Sequence, residues 1–165
     1  MWHIDGNDKL VPFGFGIHGC IDGFSRNLLW LKVYWTNKDP HVVAGYYMEA
    51  VKENMGCPLT VRADPGTENV NVKRIQAALA DNNRDNQLPP YIEGSSTANQ
   101  RIESFWSHLR KQLLEFWLCL FHGIQDEGHY QGDLIDKNIM RFAFMGVIQV
   151  ITQGDPNSRG SGQIR

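Results

Sequence analysis

Residues 15–35 read FGIHGCIDGFSRNLLWLKVYW and hold two runs rich in β-branched and aromatic residues, one on each side of Asp22-Gly23. An Asp-Gly pair tolerates the positive φ angles of a tight turn. The stretch therefore predicts a β-hairpin with strands at 15–22 and 27–35. Residues 2–5, Trp-His-Ile-Asp, read as the end of another short strand. We expect the first third of the chain to be an antiparallel meander.

The hydrophobic period changes after Asp39-Pro40, a helix N-cap followed by proline at the first helical position. Helical spacing of apolar residues predicts a helix from there that Gly56 ends. The later segments are predicted as a strand at 58–64, a helix at 70–80, a polar loop at 81–90, a brief strand at 91–93, a linker at 94–97, a long helix at 99–121, a loop at 123–132 and a last helix at 133–152. This order predicts a mixed α/β fold.

Length and charge narrow the class of protein. The chain has 165 residues and a formal net charge of −2, with a sequence pI near 6.3. That length suits one domain, and the mild acidity argues against a general nucleic-acid coat protein. The three widely spaced cysteines suit free thiols in a reducing compartment. Because no run of about 18 apolar residues occurs, we expect no membrane span.

Three acidic residues stand where neighbouring elements can bring carboxylates together. Asp5 lies in or ends the first strand, Asp64 ends the strand at 58–64, and Glu103 opens the long helix. Carboxylate oxygens are what Mg²⁺ prefers, and acids on three separate elements are the minimum set for a two-metal phosphoryl-transfer site. The alternative from the residues alone is that these acids are solvated caps, because the helix dipole favours Glu in a first turn.

Four segments together resemble the catalytic core of DDE integrases and transposases, especially the integrase cores of eukaryotic mobile elements. They are WHID at 2–5, IHGCIDGFSR at 17–26, RADPGTEN at 62–69 and NQRIESFW at 99–106. The resemblance implies a ribonuclease-H-like α/β fold with a central mixed five-stranded sheet flanked by helices. It also implies two Mg²⁺ or Mn²⁺ ions and the cutting and joining of DNA ends. It assigns catalytic and metal-binding roles to Asp5, Asp64 and Glu103.

The same resemblance implies partners. They are double-stranded DNA ends and target DNA, with a homo-oligomer because pairing two ends requires at least two subunits, and a nuclear location follows from the substrate. Candidate phosphate and DNA contacts lie before and along the long helix and on the helix at 70–80. These candidates are Asn99, Gln100, Arg110, Lys111, Lys73 and Arg74.

The resemblance runs from residue 2 to about residue 149. We expect a catalytic core over 1–152 that lacks upstream sequence, followed by a disordered or aberrant tail over 153–165. Two other functions stay open. One is a truncated or domesticated copy that binds DNA or a protein without catalysis. The other is a ribonuclease-H-like nuclease that cuts without joining.

Other patterns are interpreted as structural. Asp22 is explained by the turn chemistry of Asp-Gly. Residues 14–19 match G-x-G-x-x-G but run into a strand, where the dinucleotide fingerprint requires a helix. His3 shares a strand face with Asp5, so lining the site is a minor alternative to a core role. One apolar stripe of the long helix is expected to be core: Ile102, Phe105, Trp106, Leu109, Leu113, Phe116, Trp117 and Leu120.

Overall fold

The computed structural model describes residues 1–80, 88–95 and 99–153. Its centre is one five-stranded sheet with the strand order β3-β2-β1-β4-β5. The strands are β1 Trp2–Asn7, β2 Gly16–Asp22, β3 Leu28–Tyr34, β4 Val61–Ala63 and β5 Tyr91–Glu93. β1, β2 and β3 pair in antiparallel fashion, whereas β4 and β5 join in parallel. The predicted meander and the mixed five-stranded sheet are both confirmed.

The β2–β3 hairpin turns at Asp22, as expected, but the backbone conformation of the turn differs from that of a tight Asp-Gly turn. The Asp22 carboxylate accepts hydrogen bonds from the Ser25 amide at 2.8 Å and from the Ser25 hydroxyl at 2.7 Å. The positive φ angle falls on Arg26, at 62°, and not on Gly23. The turn is longer than a two-residue one, since the Asp22 amide bonds to the Asn27 carbonyl at 2.9 Å.

Two helices cover one face of the sheet. They are α1 Pro40–Glu53 and α2 Val70–Ala80. The Asp39 side chain caps α1 by accepting from the His41 amide at 2.8 Å, as predicted. The positive φ angle after the helix lies at Met55, at 51°, and not at Gly56. These helices bury alternate residues of β1, β2 and β4, among them Trp2, Ile4 and Val61, in one of two apolar cores.

Three helices cover the opposite face. They are α3 Gln100–Leu109, α4 Glu115–Asp126 and α5 Leu134–Gln153. With Ile17, Ile21 and Leu31 of the sheet they form the second core. α4 extends into the predicted loop at 123–132, because helical bonding continues to Asp126. Within the described ranges, none of the helices combines the length and the apolarity that a bilayer span requires.

A π-helical turn, Arg110–Leu114, joins α3 to α4 without a break in right-handed backbone. The Glu115 amide bonds to the Arg110 carbonyl, five residues back, so the turn holds one residue more than an α-helical turn. The buried positions beyond it are therefore Leu114, Trp117 and Phe121. The prediction that Phe116 and Leu120 are core is wrong, since both are exposed.

Some predictions fall on parts of the chain that the structure does not describe. These are most of the polar loop at 81–90, two residues of the linker at 94–97, and the tail from residue 154 onwards.

Candidate active site at the carboxyl ends of the central strands

Asp5 and Asp64 lie side by side in the strand order. In the parallel pair of β1 and β4, Ile4 stands opposite Ala63, and each aspartate is the next residue of its own chain segment. On its other side Asp5 stands opposite Gly19 of β2. The expectation that the first strand and the Asp64 strand are neighbours is therefore confirmed, and it places both carboxyl groups at one region of the sheet.

Glu103 reaches this region from the first turn of α3. The helix begins after Asn99, whose carbonyl accepts from the amides of Ile102 at 3.2 Å and Glu103 at 3.3 Å. α3 packs on β1 and β2. The negative charges of Asp64 and Glu103 both raise the pKa of Asp5. Asp64 and Glu103 thus both lie close enough to Asp5 for their charges to act on it.

The Asp5 carboxyl group is mostly removed from solvent. Its pKa is raised from 3.8 to about 6, mainly by burial and to a smaller extent by the neighbouring acids. Hydrogen bonds from the Trp106 side chain and from the Gly6 backbone act in the opposite direction. Near neutral pH Asp5 is therefore less fully ionised than an aspartate in water.

A buried hydrogen-bond network ties Asp64 to β1. The Asn99 side-chain amide donates to the Ile4 carbonyl at 3.2 Å and to Oδ1 of Asp64 at 3.4 Å. Its oxygen accepts from Nδ1 of His3 at 2.8 Å. Burial lowers the pKa of His3, which favours the neutral form of the ring. His3 is buried and, among the described residues, is connected to Asp64 only through Asn99, which fits the core role that the sequence interpretation favoured.

Asn99 was expected to contact DNA, and its placement opposes that prediction. The residue is 1% exposed, and both ends of its side-chain amide are bonded inside the protein. Its hydrogen bonds instead connect β1, Asp64 and the start of α3. Gln100, the next residue, is exposed.

The predicted cationic contacts separate into two groups. Arg110 and Lys111 are exposed in the π-helical turn that follows α3, and Nε of Arg110 lies 3.8 Å from the Glu115 carboxylate. Lys73 and Arg74 lie on α2, which packs on the opposite face of the sheet. Lys73 is 3.1 Å from the Glu93 carboxylate, and its ammonium lies 5.6 Å from the centre of the Tyr91 ring.

Trp106 is a site contact that the sequence interpretation assigned to the core alone. Its indole N–H donates to Oδ2 of Asp5 at 2.9 Å while the ring packs in the second core. One signal was available: Trp106 follows Glu103 by three residues, so both side chains lie on neighbouring parts of one helix face.

The donor chemistry of the site fits a divalent cation. The side chains are carboxylates, two of them hydrogen-bonded by neutral donors, and their mutual repulsion is what a cation relieves. Among the described residues, no three His, Cys, Asp or Glu side chains are gathered closely enough to hold one ion together. Mg²⁺ commonly takes only one or two protein carboxylates, with water and phosphate oxygens completing its shell.

A mixed five-stranded sheet in this order, covered by helices on both faces, is the architecture of a ribonuclease-H-like fold. The family model described as "Integrase core domain" matches residues 1–153. The chain belongs to that family, whose general function is phosphoryl transfer in DNA integration. Neither a search of curated proteins nor a search of solved structures gave a match.

Proposed function

We propose that this chain is the catalytic core of a metal-dependent polynucleotidyl transferase that cuts and joins DNA ends. The observation that supports it is the electrostatic coupling of three acids from separate elements. Asp5 from β1 has its pKa raised to about 6, in part by the charges of Asp64 and Glu103. Like charges that are partly buried near one another are costly to a fold, and a bound cation would offset this cost.

Asp5, Asp64 and Glu103 would hold Mg²⁺ or Mn²⁺, two ions in the full reaction. When bound, such ions stabilise the attacking and leaving oxygens of an in-line phosphoryl displacement. The protein's own part is to hold the carboxylates in place. Asn99 bonds Asp64, and Asp5 gives up its proton before it can act as a ligand.

The proposed substrates are double-stranded DNA ends and a target DNA, encountered in the nucleus. Gln100, Arg110 and Lys111 are exposed along the same helical segment as Glu103, where phosphate contacts would position DNA near the acids. Lys73 and Arg74 are proposed as more distant contacts. Joining two ends at one target further requires that at least two copies of the chain act together.

The test is DNA nicking and joining by the full chain in Mn²⁺. Supercoiled plasmid serves as the target, and labelled double-stranded oligonucleotides serve as the ends. We expect activity from the wild type and none from Asp64→Asn. Asp126→Asn, which removes an exposed charge at the end of α4, is the matched control and should remain active. Lack of activity in the wild type, or equal activity in Asp64→Asn, contradicts the proposal.

A second candidate is a DNA- or protein-binding domain that does not catalyse. It is favoured by the fact that no three ligating side chains of the described residues are gathered around one point. DNA retention by the wild type in a gel shift, together with no nicking in Mn²⁺, would support it. Cutting without joining in the same assay would instead indicate a nuclease.

A further inference from the structure

The Trp106 indole, which packs in the second core, forms a hydrogen bond with Asp5. Trp106 is 6% exposed, and its Nε1–H donates to Oδ2 of Asp5 at 2.9 Å. Trp106 lies on α3 three residues after Glu103, so one stretch of helix carries an acid of the site and a hydrogen-bond donor to another acid. The position of α3 therefore fixes both at once.

Gly19 provides the space in which this ring lies. It is the residue of β2 directly opposite Asp5. A Cβ atom at position 19 would stand 2.9 Å from Cη2 and 3.3 Å from Cζ2 of Trp106. These separations are shorter than ordinary carbon–carbon contact. A glycine at this position thus allows the indole to lie close to β2 and to reach the Asp5 carboxylate.

Trp117 shows that a tryptophan can be buried in this core without a hydrogen bond from its indole N–H. It is also buried in the second core, at 3% exposure, yet its Nε1 is buried without a hydrogen-bond partner. The two tryptophans belong to the same continuous helical segment. The core therefore accepts an indole with an unbonded N–H, and the Trp106 bond to Asp5 is a separate feature of the site.

We propose that Trp106, seated on Gly19, is a positioning residue that orients the Asp5 carboxylate for a divalent cation. The proposal rests on the proposed function, since it assumes that Asp5 is a ligand. Donors that hold ligating carboxylates in one orientation typically change metal affinity by about 10- to 100-fold when removed. Trp106 acts through Asp5 and does not itself touch the ion or the DNA.

The experiment measures Mn²⁺ and Mg²⁺ binding to the full chain by isothermal titration calorimetry. The variants are Trp106→Phe, Trp117→Phe as its matched control, and Asp64→Asn. We expect Trp106→Phe to bind about 10- to 100-fold more weakly than the wild type. Trp117→Phe removes the same atoms from the same core and should bind as the wild type does. Thermal unfolding without metal confirms that each variant is folded.

The outcomes separate the two claims. Unchanged affinity in Trp106→Phe, with binding lost in Asp64→Asn, overturns the positioning role and leaves the proposed function standing. Absence of binding in the wild type, or binding that is unaffected by Asp64→Asn, overturns the metal site and the positioning role with it.

Gly19→Ala decides the case in which Trp106→Phe does not fold. It keeps the indole N–H but pushes the ring away from β2. We expect weaker Mn²⁺ binding from this variant too, and wild-type affinity in it contradicts the proposal.

Discussion

At the scale of the residue, the Asp5 carboxyl group lies between the Trp106 indole and two other acids. Its place in the first strand could be predicted from the sequence, because the strand-forming residues at 2–4 lead directly to it. The raised pKa of Asp5 could not be predicted, because burial is the largest cause of the rise and burial depends on where α3 packs.

We expect Asp5→Asn to stabilise the metal-free protein in a pH-dependent way. The pKa of Asp5 is raised from 3.8 to about 6 on folding, so between these values the native state binds more protons than the unfolded state. The free energy of unfolding therefore falls as pH rises through this window. Asparagine cannot ionise, so the variant should exceed the wild type at pH 8 by up to about 3 kcal/mol and match it near pH 4.

Urea unfolding at both pH values measures this difference. Asp126→Asn is the control, because it removes an exposed carboxylate at the end of α4. A gain from Asp5→Asn of the same size at pH 4 and pH 8 would show that desolvation of the charge is not the cause.

Cation binding at the proposed site should also depend on the protonation of Asp5. Because a proton competes with a cation for the Asp5 carboxylate, Mn²⁺ affinity should fall as pH drops through about 6. Saturating Mn²⁺ should raise the melting temperature of the wild type at pH 8 and leave that of Asp5→Asn nearly unchanged. An equal rise in both proteins would place the ion elsewhere.

The contacts of the Asn99 and Trp106 side chains could not be predicted from the sequence. An asparagine before a helix suits a DNA contact and a buried hydrogen-bonding role equally well, and only its 1% exposure decides between them. Trp106 belongs to the apolar stripe and was correctly assigned to the core. That assignment gave no sign of its hydrogen bond to Asp5.

At the scale of the element, the π-helical turn at Arg110–Leu114 adds one residue between the core positions before it and those after it, so that Phe116 and Leu120 are exposed while Trp117 stays buried. Apolar residues come in adjacent pairs here, at 113–114, 116–117 and 120–121, so both registers satisfy the hydrophobic pattern. The existence of the helix was therefore predictable, while the face that it buries beyond residue 110 was not. The other helices, which are regular, match their predicted spans closely.

Two phenylalanines in α4 test this register. Phe116 is 62% exposed and Phe121 is fully buried. We expect Phe121→Ala to cost about 3–5 kcal/mol of unfolding free energy, and Phe116→Ala to cost less than about 0.5 kcal/mol. Chemical denaturation measures both. Equal costs, or a larger cost at Phe116, would mean that the helix continues in the α register.

At the scale of the whole molecule, apolar side chains on α5 stay exposed on the face turned away from the core. They are Leu134, Ile135, Ile139 and Phe142. Apolar patches of this kind mark association sites, and the proposed joining of two DNA ends requires two copies of the chain. We therefore expect α5 to pack against α5 of a second copy.

Sedimentation velocity tests this association. Phe142 is 95% exposed, so Phe142→Asp should leave the fold intact and shift the protein towards the monomer. Phe24→Asp is the control, because Phe24 is 94% exposed and belongs to the turn between β2 and β3, not to α5. Equal loss of the dimer in both variants, or in neither, would contradict the assignment to α5.

The strand order also sets the sequence of folding events. β1, β2 and β3 follow one another along the chain, so their hairpins close through short loops. The pairing of Trp2 with Val61 and the bond from Trp106 to Asp5, 101 positions apart, must close long ones. Local contacts form faster than distant ones. During refolding, protection of the β2 and β3 amides should therefore precede formation of the proposed cation site, so Mn²⁺ uptake, if the proposed site binds it, should follow the protection of these amides.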